Sequence, residues 1–104
     1  LHAHIGADLA ERRHGVADGA VLSAIRKHTL GDPDMSPLDR LLYTADACSR
    51  DRGYPEAARI RRAARRDLDE GFSEAVRMKL RHVLDADGWL HPVTAALWNR
   101  IAAP

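Results

Sequence analysis

The 104 residues are enough for one domain, 1–104, with a single core of thin margin. Hydrophobic residues make up 45% and aromatic residues only 5%, with Ala, Arg and Leu dominant. That excludes a disordered chain and favours helices over sheet. Lys plus Arg total 16 against 15 for Asp plus Glu, so charge gives no global argument for nucleic acid or an acidic membrane.

Taken in chain order, Ile5 and Leu9 share one face of a helix running from His2 to Arg13, and Gly15 suits its end. His2, three residues before Ile5, extends that face. Asp18 caps a second helix whose apolar face is Val21, Leu22 and Ile25, continued by His28. Gly31 and Pro33 break it, and a loop runs from Gly31 to Met35. Ser36-Pro37-Leu38-Asp39 is a strong helix start: Ser caps, Pro takes the first position and an acid follows in the first turn. Leu38, Leu41, Leu42 and Ala45 mark the expected buried face, with Asp46 at its border. After a polar stretch, Ser49 to Pro55, a fourth helix opens at Pro55 and runs through Ile60. A long amphipathic segment follows, with Leu68, Phe72, Ala75, Val76, Leu80, Val83 and Leu84 at helical spacing, ended by Gly88. His91-Pro92 starts a last short helix bearing Val93, Ala96, Leu97 and Ile101. No repeat and no alternating strand pattern stands out. The expected class is an all-α helical bundle.

The single cysteine, Cys48, excludes an internal disulfide and fits a reducing cytoplasm. No apolar run approaches the roughly 20 residues needed to span a bilayer, and no signal peptide is visible. The sequence starts on Leu1 and enters directly on a His-rich helix, so we expect a bundle truncated at its N-terminus. Such a bundle exposes apolar faces that a homodimer or upstream helices would cover.

Three ionisable residues sit at the edges of apolar faces: His2, His28 and Asp46. Imidazole and carboxylate suit iron, manganese, zinc or magnesium, and helical bundles build metal sites from such side chains on adjacent helices. The plainer alternative is a backbone-bonded histidine and an ion-paired aspartate. His4 reads as exposed, His14 as favouring a helix end, and His82 and His91 as structural. Cys48 reads as a small buried residue, Trp89 and Trp98 as packing, and the run Arg59 to Arg66 as a solvated face.

Longer words shift the balance toward the metal site. Lys27-His28-Thr29-Leu30-Gly31-Asp32-Pro33-Asp34-Met35-Ser36 followed by Ala45-Asp46 resembles the His-Thr-x-Gly-x-Pro-x-Met-Ser … Ala-Asp pattern of the YqeK family of HD-domain hydrolases. Arg52, Tyr54 and Pro55 are similar to its Arg-x-Phe-Pro loop, and Ile60-Arg61, Ala64 and Asp67-Leu68-Asp69 to its next helix. His91-Pro92-Val93-Thr94 … Asn99 resembles its His-Pro-x-Thr … Asn tail, and Leu1-His2 … Gly6-Ala7 its Leu-His-x-x-Val-Gly-Ala segment.

The resemblance implies an HD-type helical fold and a two-metal site, iron or manganese, that cleaves diadenosine tetraphosphate symmetrically to two ADP. Of the family's six ligands, His2 and His28 match two histidines and Asp46 the late aspartate. An early His and an adjacent His-Asp pair have no match, so the chain alone should bind metal weakly and hydrolyse little. Arg52 matches a loop arginine suited to clamp phosphate, and Thr29 and Gly31 match a loop suited to approach it. After Asp46 the family reads Tyr-Ile-Glu-Pro where this chain reads Ala47-Cys48-Ser49-Arg50, which leaves substrate preference open. The partner so implied is a nucleoside polyphosphate, with no membrane. A non-catalytic helical module or degenerate HD domain is the competing reading. Nucleic-acid binding through Arg59 to Arg66 is weaker still, given the balanced charge.

Overall fold

The computed structural model describes Arg12, residues 18–49 and residues 53–104. They form helices α1 (Gly19–Lys27), α2 (Pro37–Ala47), α3 (Ala57–Arg66), α4 (Leu68–Asp85) and α5 (Pro92–Ala102), with no strand among the described residues. The all-α expectation holds. Apart from Arg12, the expected first helix with His2 and Gly15 lies outside the described residues, as does Arg52. No helix among the described residues is long and apolar enough to cross a membrane.

Local chemistry sets each start. Asp18 accepts the Ala20 N–H at 2.8 Å and opens α1. Ser36 and Asp39 form a capping box on α2: the Asp39 N–H donates to Ser36 Oγ at 3.1 Å and the Ser36 N–H to Asp39 Oδ2 at 2.9 Å. Asp39 is only 1% exposed, and the same oxygen accepts from Ser23 Oγ at 3.2 Å and lies 3.6 Å from Lys27 Nζ. One carboxylate thus caps α2 and fastens it to α1. Asp67, extended at φ −158°, ends α3 and caps α4. His91 caps α5 through Nδ1, which accepts the Val93 N–H at 3.1 Å, and Pro92 takes the first position.

At the end of α4 the left-handed residue is Asp87 (φ 53°). The Gly88 N–H donates to Val83 O at 2.8 Å and the Asp87 N–H to Leu84 O at 3.1 Å, a Schellman closure.

α4 packs against α2 and α3, and α2 also against α1. The core they enclose includes Tyr43, Ala47, Ile60, Phe72, Val76 and Met78, with Leu97 of α5 closing one side. Tyr43 and Phe72 meet edge-on, ring centroids 5.3 Å apart. The expected buried face of α2 is corrected. Leu38 and Leu41 are 38% and 51% exposed, Ala45 is exposed and Leu42 half-buried. Asp39, Tyr43, Thr44 and Ala47 face inward instead. The capping box explains the phase: turning Asp39 toward Ser23 and Lys27 brings Tyr43 and Ala47, four and eight residues on, to the same face. Val21 and Leu84 are likewise exposed rather than buried.

Candidate active site

The loop between α1 and α2 is held from several sides. At Gly31 the backbone turns left-handed (φ 76°), and its N–H donates to Lys27 O at 3.0 Å. A Cβ there would overlap Leu97 Cδ2 and touch Tyr43 Cε2, so a residue without a side chain lets the loop lie flat on the core. Thr94 Oγ1 on α5 donates to Leu30 O at 2.9 Å. His28 ends α1, and its Nδ1 bonds to the Ile25 carbonyl. A carbonyl only accepts, so Nδ1 carries a proton and, in the neutral ring, Nε2 keeps its lone pair open to a metal.

This loop rims a cleft of about 600 Å³ whose walls also come from α2, α4 and the α4–α5 connection. Asp46 and Thr29 both line it. Lys79 of α4 crosses the same space: its ammonium is 3.9 Å from Asp46 Oδ2, 3.5 Å from the Thr29 carbonyl and 4.0 Å from the Tyr43 ring centre. Over Tyr43 the ammonium gains a cation–π contact. The Tyr43 hydroxyl is buried without a hydrogen-bond partner among the described residues, and burial, reinforced by Tyr54 and the Asp46 charge, pushes its pKa up. It remains a neutral phenol.

The rest of the lining is mostly apolar and aromatic, with His82, His91 and Thr94 among it. Tyr54 lies against His82, centroids 5.0 Å apart, and His82 Nε2 meets Glu56 Oε2 at 3.2 Å. That hydrogen bond holds the Glu56 carboxyl below its ordinary range. Trp89, 76% exposed, stands edge-on to His91 at 5.5 Å.

No protein-family model matches the sequence. It is 32% identical over 98 residues to a symmetrical bis(5'-nucleosyl)-tetraphosphatase of Bacillus subtilis, covering 94% of this chain and 53% of that protein. The same-named protein of Halalkalibacterium halodurans is 32% identical over 101 residues, 97% of this chain and 54% of its own length. A crystal structure from Clostridium acetobutylicum, described as a predicted HD superfamily hydrolase involved in NAD metabolism, superimposes with TM-score 0.89 at 34% identity over 97% of this chain. This chain is homologous to the HD-superfamily hydrolases. It spans about half the length of the relatives it matches.

Of the site residues expected in this HD-hydrolase homologue, Asp46 and Thr29 share the cleft. His28 adjoins Thr29 in the loop, and Gly31 shapes that loop from beneath, buried against Leu97. His2 and Arg52 are outside the described residues, within which no three His, Cys, Asp or Glu side chains gather as a metal site. The donor chemistry of His28 and Asp46 nonetheless fits a divalent cation. A backbone carbonyl on Nδ1 is the usual way to orient a ligating histidine.

Sequence reading missed Lys79. The available signal was its position between Val76 and Val83 on the apolar stripe of α4, where a lysine is out of place. Trp89 was expected to pack and is exposed at the cleft. His82 and His91 have the structural bonds expected of them, yet both also line the cleft.

Proposed function

We propose that this chain supplies part of the site of a metal-dependent phosphohydrolase that cleaves diadenosine tetraphosphate symmetrically to two ADP. One observation carries the reading: Asp46 and Thr29, residues of the His-Thr-x-Gly … Ala-Asp pattern, line one cleft in a chain 32% identical, over nearly its whole length, to symmetrical tetraphosphatases. His2, His28 and Asp46 are the proposed ligands, and the relatives' additional length leaves room for the remaining ones outside the matched half.

A divalent cation held there, iron or manganese in this reading, supplies Lewis acidity toward phosphoryl oxygens and eases deprotonation of the attacking water. The chain's own residues do the positioning. The Ile25 carbonyl keeps His28 in the tautomer whose Nε2 offers a lone pair. Asp46 contributes a carboxylate at the cleft wall. Arg52 and Thr29 contact phosphate, and Gly31 acts through the loop it shapes. The neutral Tyr43 and the aromatic walls limit water around the substrate. The substrate class is a nucleoside polyphosphate and the expected compartment the cytoplasm.

The test is product analysis with the full-length natural protein and added Fe²⁺ or Mn²⁺. Diadenosine tetraphosphate should yield ADP alone, and only with metal. Products of ATP plus AMP, or no metal-dependent turnover, would overturn the reading.

A further inference from the structure

We propose that Lys79 is a substrate-binding residue that holds a phosphate of the nucleotide beside Asp46. The inference rests on the phosphohydrolase reading and names a contact that reading lacks.

Three observations carry it. First, Lys79 is the lysine or arginine among the described residues that lines the 600 Å³ cleft; the other charged or titratable lining groups are Asp46, His82, His91 and the tyrosines. A polyanion entering this space needs a compensating cation at its wall. Second, Lys79 is placed against its own helix's pattern. It occupies the inward stripe of α4, with Ala75, Val76 and Leu80 buried around it, and only 17% of its side chain is exposed. The stem is packed while the ammonium emerges beside Thr29 and Asp46, residues of the loop and helix already assigned to the site. Third, the Tyr43 ring supports the charge from behind, its centre 4.0 Å from the ammonium, whose N–H donors suit phosphate oxygens.

The surroundings fit a nucleotide in particular. Beyond Lys79 the cleft is walled by Leu80, Val83, Leu90 and the rings of Tyr54 and Trp89. An apolar, aromatic chamber with one cation at its edge suits a nucleoside whose phosphates leave toward Lys79 and Asp46.

The test compares ADP with adenosine as probes on the full-length protein with metal, by calorimetry. Lys79→Gln should weaken ADP binding roughly tenfold or more while leaving adenosine within about twofold, and Lys79→Arg should retain most of the ADP affinity. ADP affinity unchanged in Lys79→Gln, or equal losses for both probes, would overturn the inference, since a purely structural lysine affects both alike. A second measurement needs no variant. Acylation of Lys79 in the wild-type protein, followed by mass spectrometry, should be slowed by ADP and not by adenosine; equal labelling with and without ADP counts against the contact. Hydrolysis of diadenosine tetraphosphate is scored separately. Wild-type turnover with no Lys79 effect sinks this inference alone, whereas ADP protection without turnover sinks the hydrolase reading alone.

Discussion

Gly71 of α4 lies directly against Ala64 of α3: a Cβ on Gly71 would come 2.5 Å from Ala64 Cβ and 2.6 Å from its Cα. The two helices meet here just after the Asp67 break, backbone close to backbone. Alanine normally improves a helix by about 1 kcal/mol over glycine. Here the overlap with main chain outweighs that gain, since overpacking costs about 1–3 kcal/mol and backbone cannot swing aside. Gly71→Ala should therefore lower stability by about 1–2 kcal/mol in urea unfolding. A stabilised variant would mean that α3 and α4 do not approach this closely.

Two left-handed residues predict opposite outcomes. Asp87 closes α4 at φ 53°, a conformation glycine adopts without strain. Asp87→Gly should raise stability by about 0.5–1 kcal/mol. Gly31, at φ 76° and pressed on Leu97, needs the absence of a side chain twice over. Gly31→Ala should cost about 2–4 kcal/mol, the strain of the backbone plus overpacking. Thermal unfolding of the pair decides this, and a neutral Gly31→Ala would contradict the loop geometry.

The His82–Glu56 hydrogen bond gives a pH dependence with a definite sign. It depresses the Glu56 carboxyl, so the folded state favours the ionised form more than the unfolded chain does. The contribution is present above the ordinary carboxylate range and is lost as pH falls through the depressed value. In Glu56→Gln the deficit in melting temperature should be seen near neutrality and shrink as pH falls below the ordinary carboxylate range. A deficit that grows on acidification would show that the carboxylate is not the stabilising form.

Much of this fold was legible because its punctuation is local. Asp18, Ser36-Pro37 and His91-Pro92 announce helix starts through chemistry confined to a few residues, and the helices begin there. The inward face of α2 was not legible. Leu38, Leu41 and Leu42 are the more apolar stripe, yet a tertiary bond donated by Ser23 to Asp39 fixes the helix the other way round. Periodicity cannot see that bond. The site divides similarly. Asp46 and Thr29 stand in recognisable local words and both line the cleft, whereas Lys79 reaches them from more than thirty residues away and belongs to no local word.

The most direct test of the metal reading is metal content. The full-length protein, purified and analysed by elemental spectrometry, should carry close to two divalent cations per chain, and Asp46→Ala and His28→Ala should each lose a substantial share while remaining folded by circular dichroism. Metal content unchanged by both substitutions, or no metal retained by the wild type, would contradict the account.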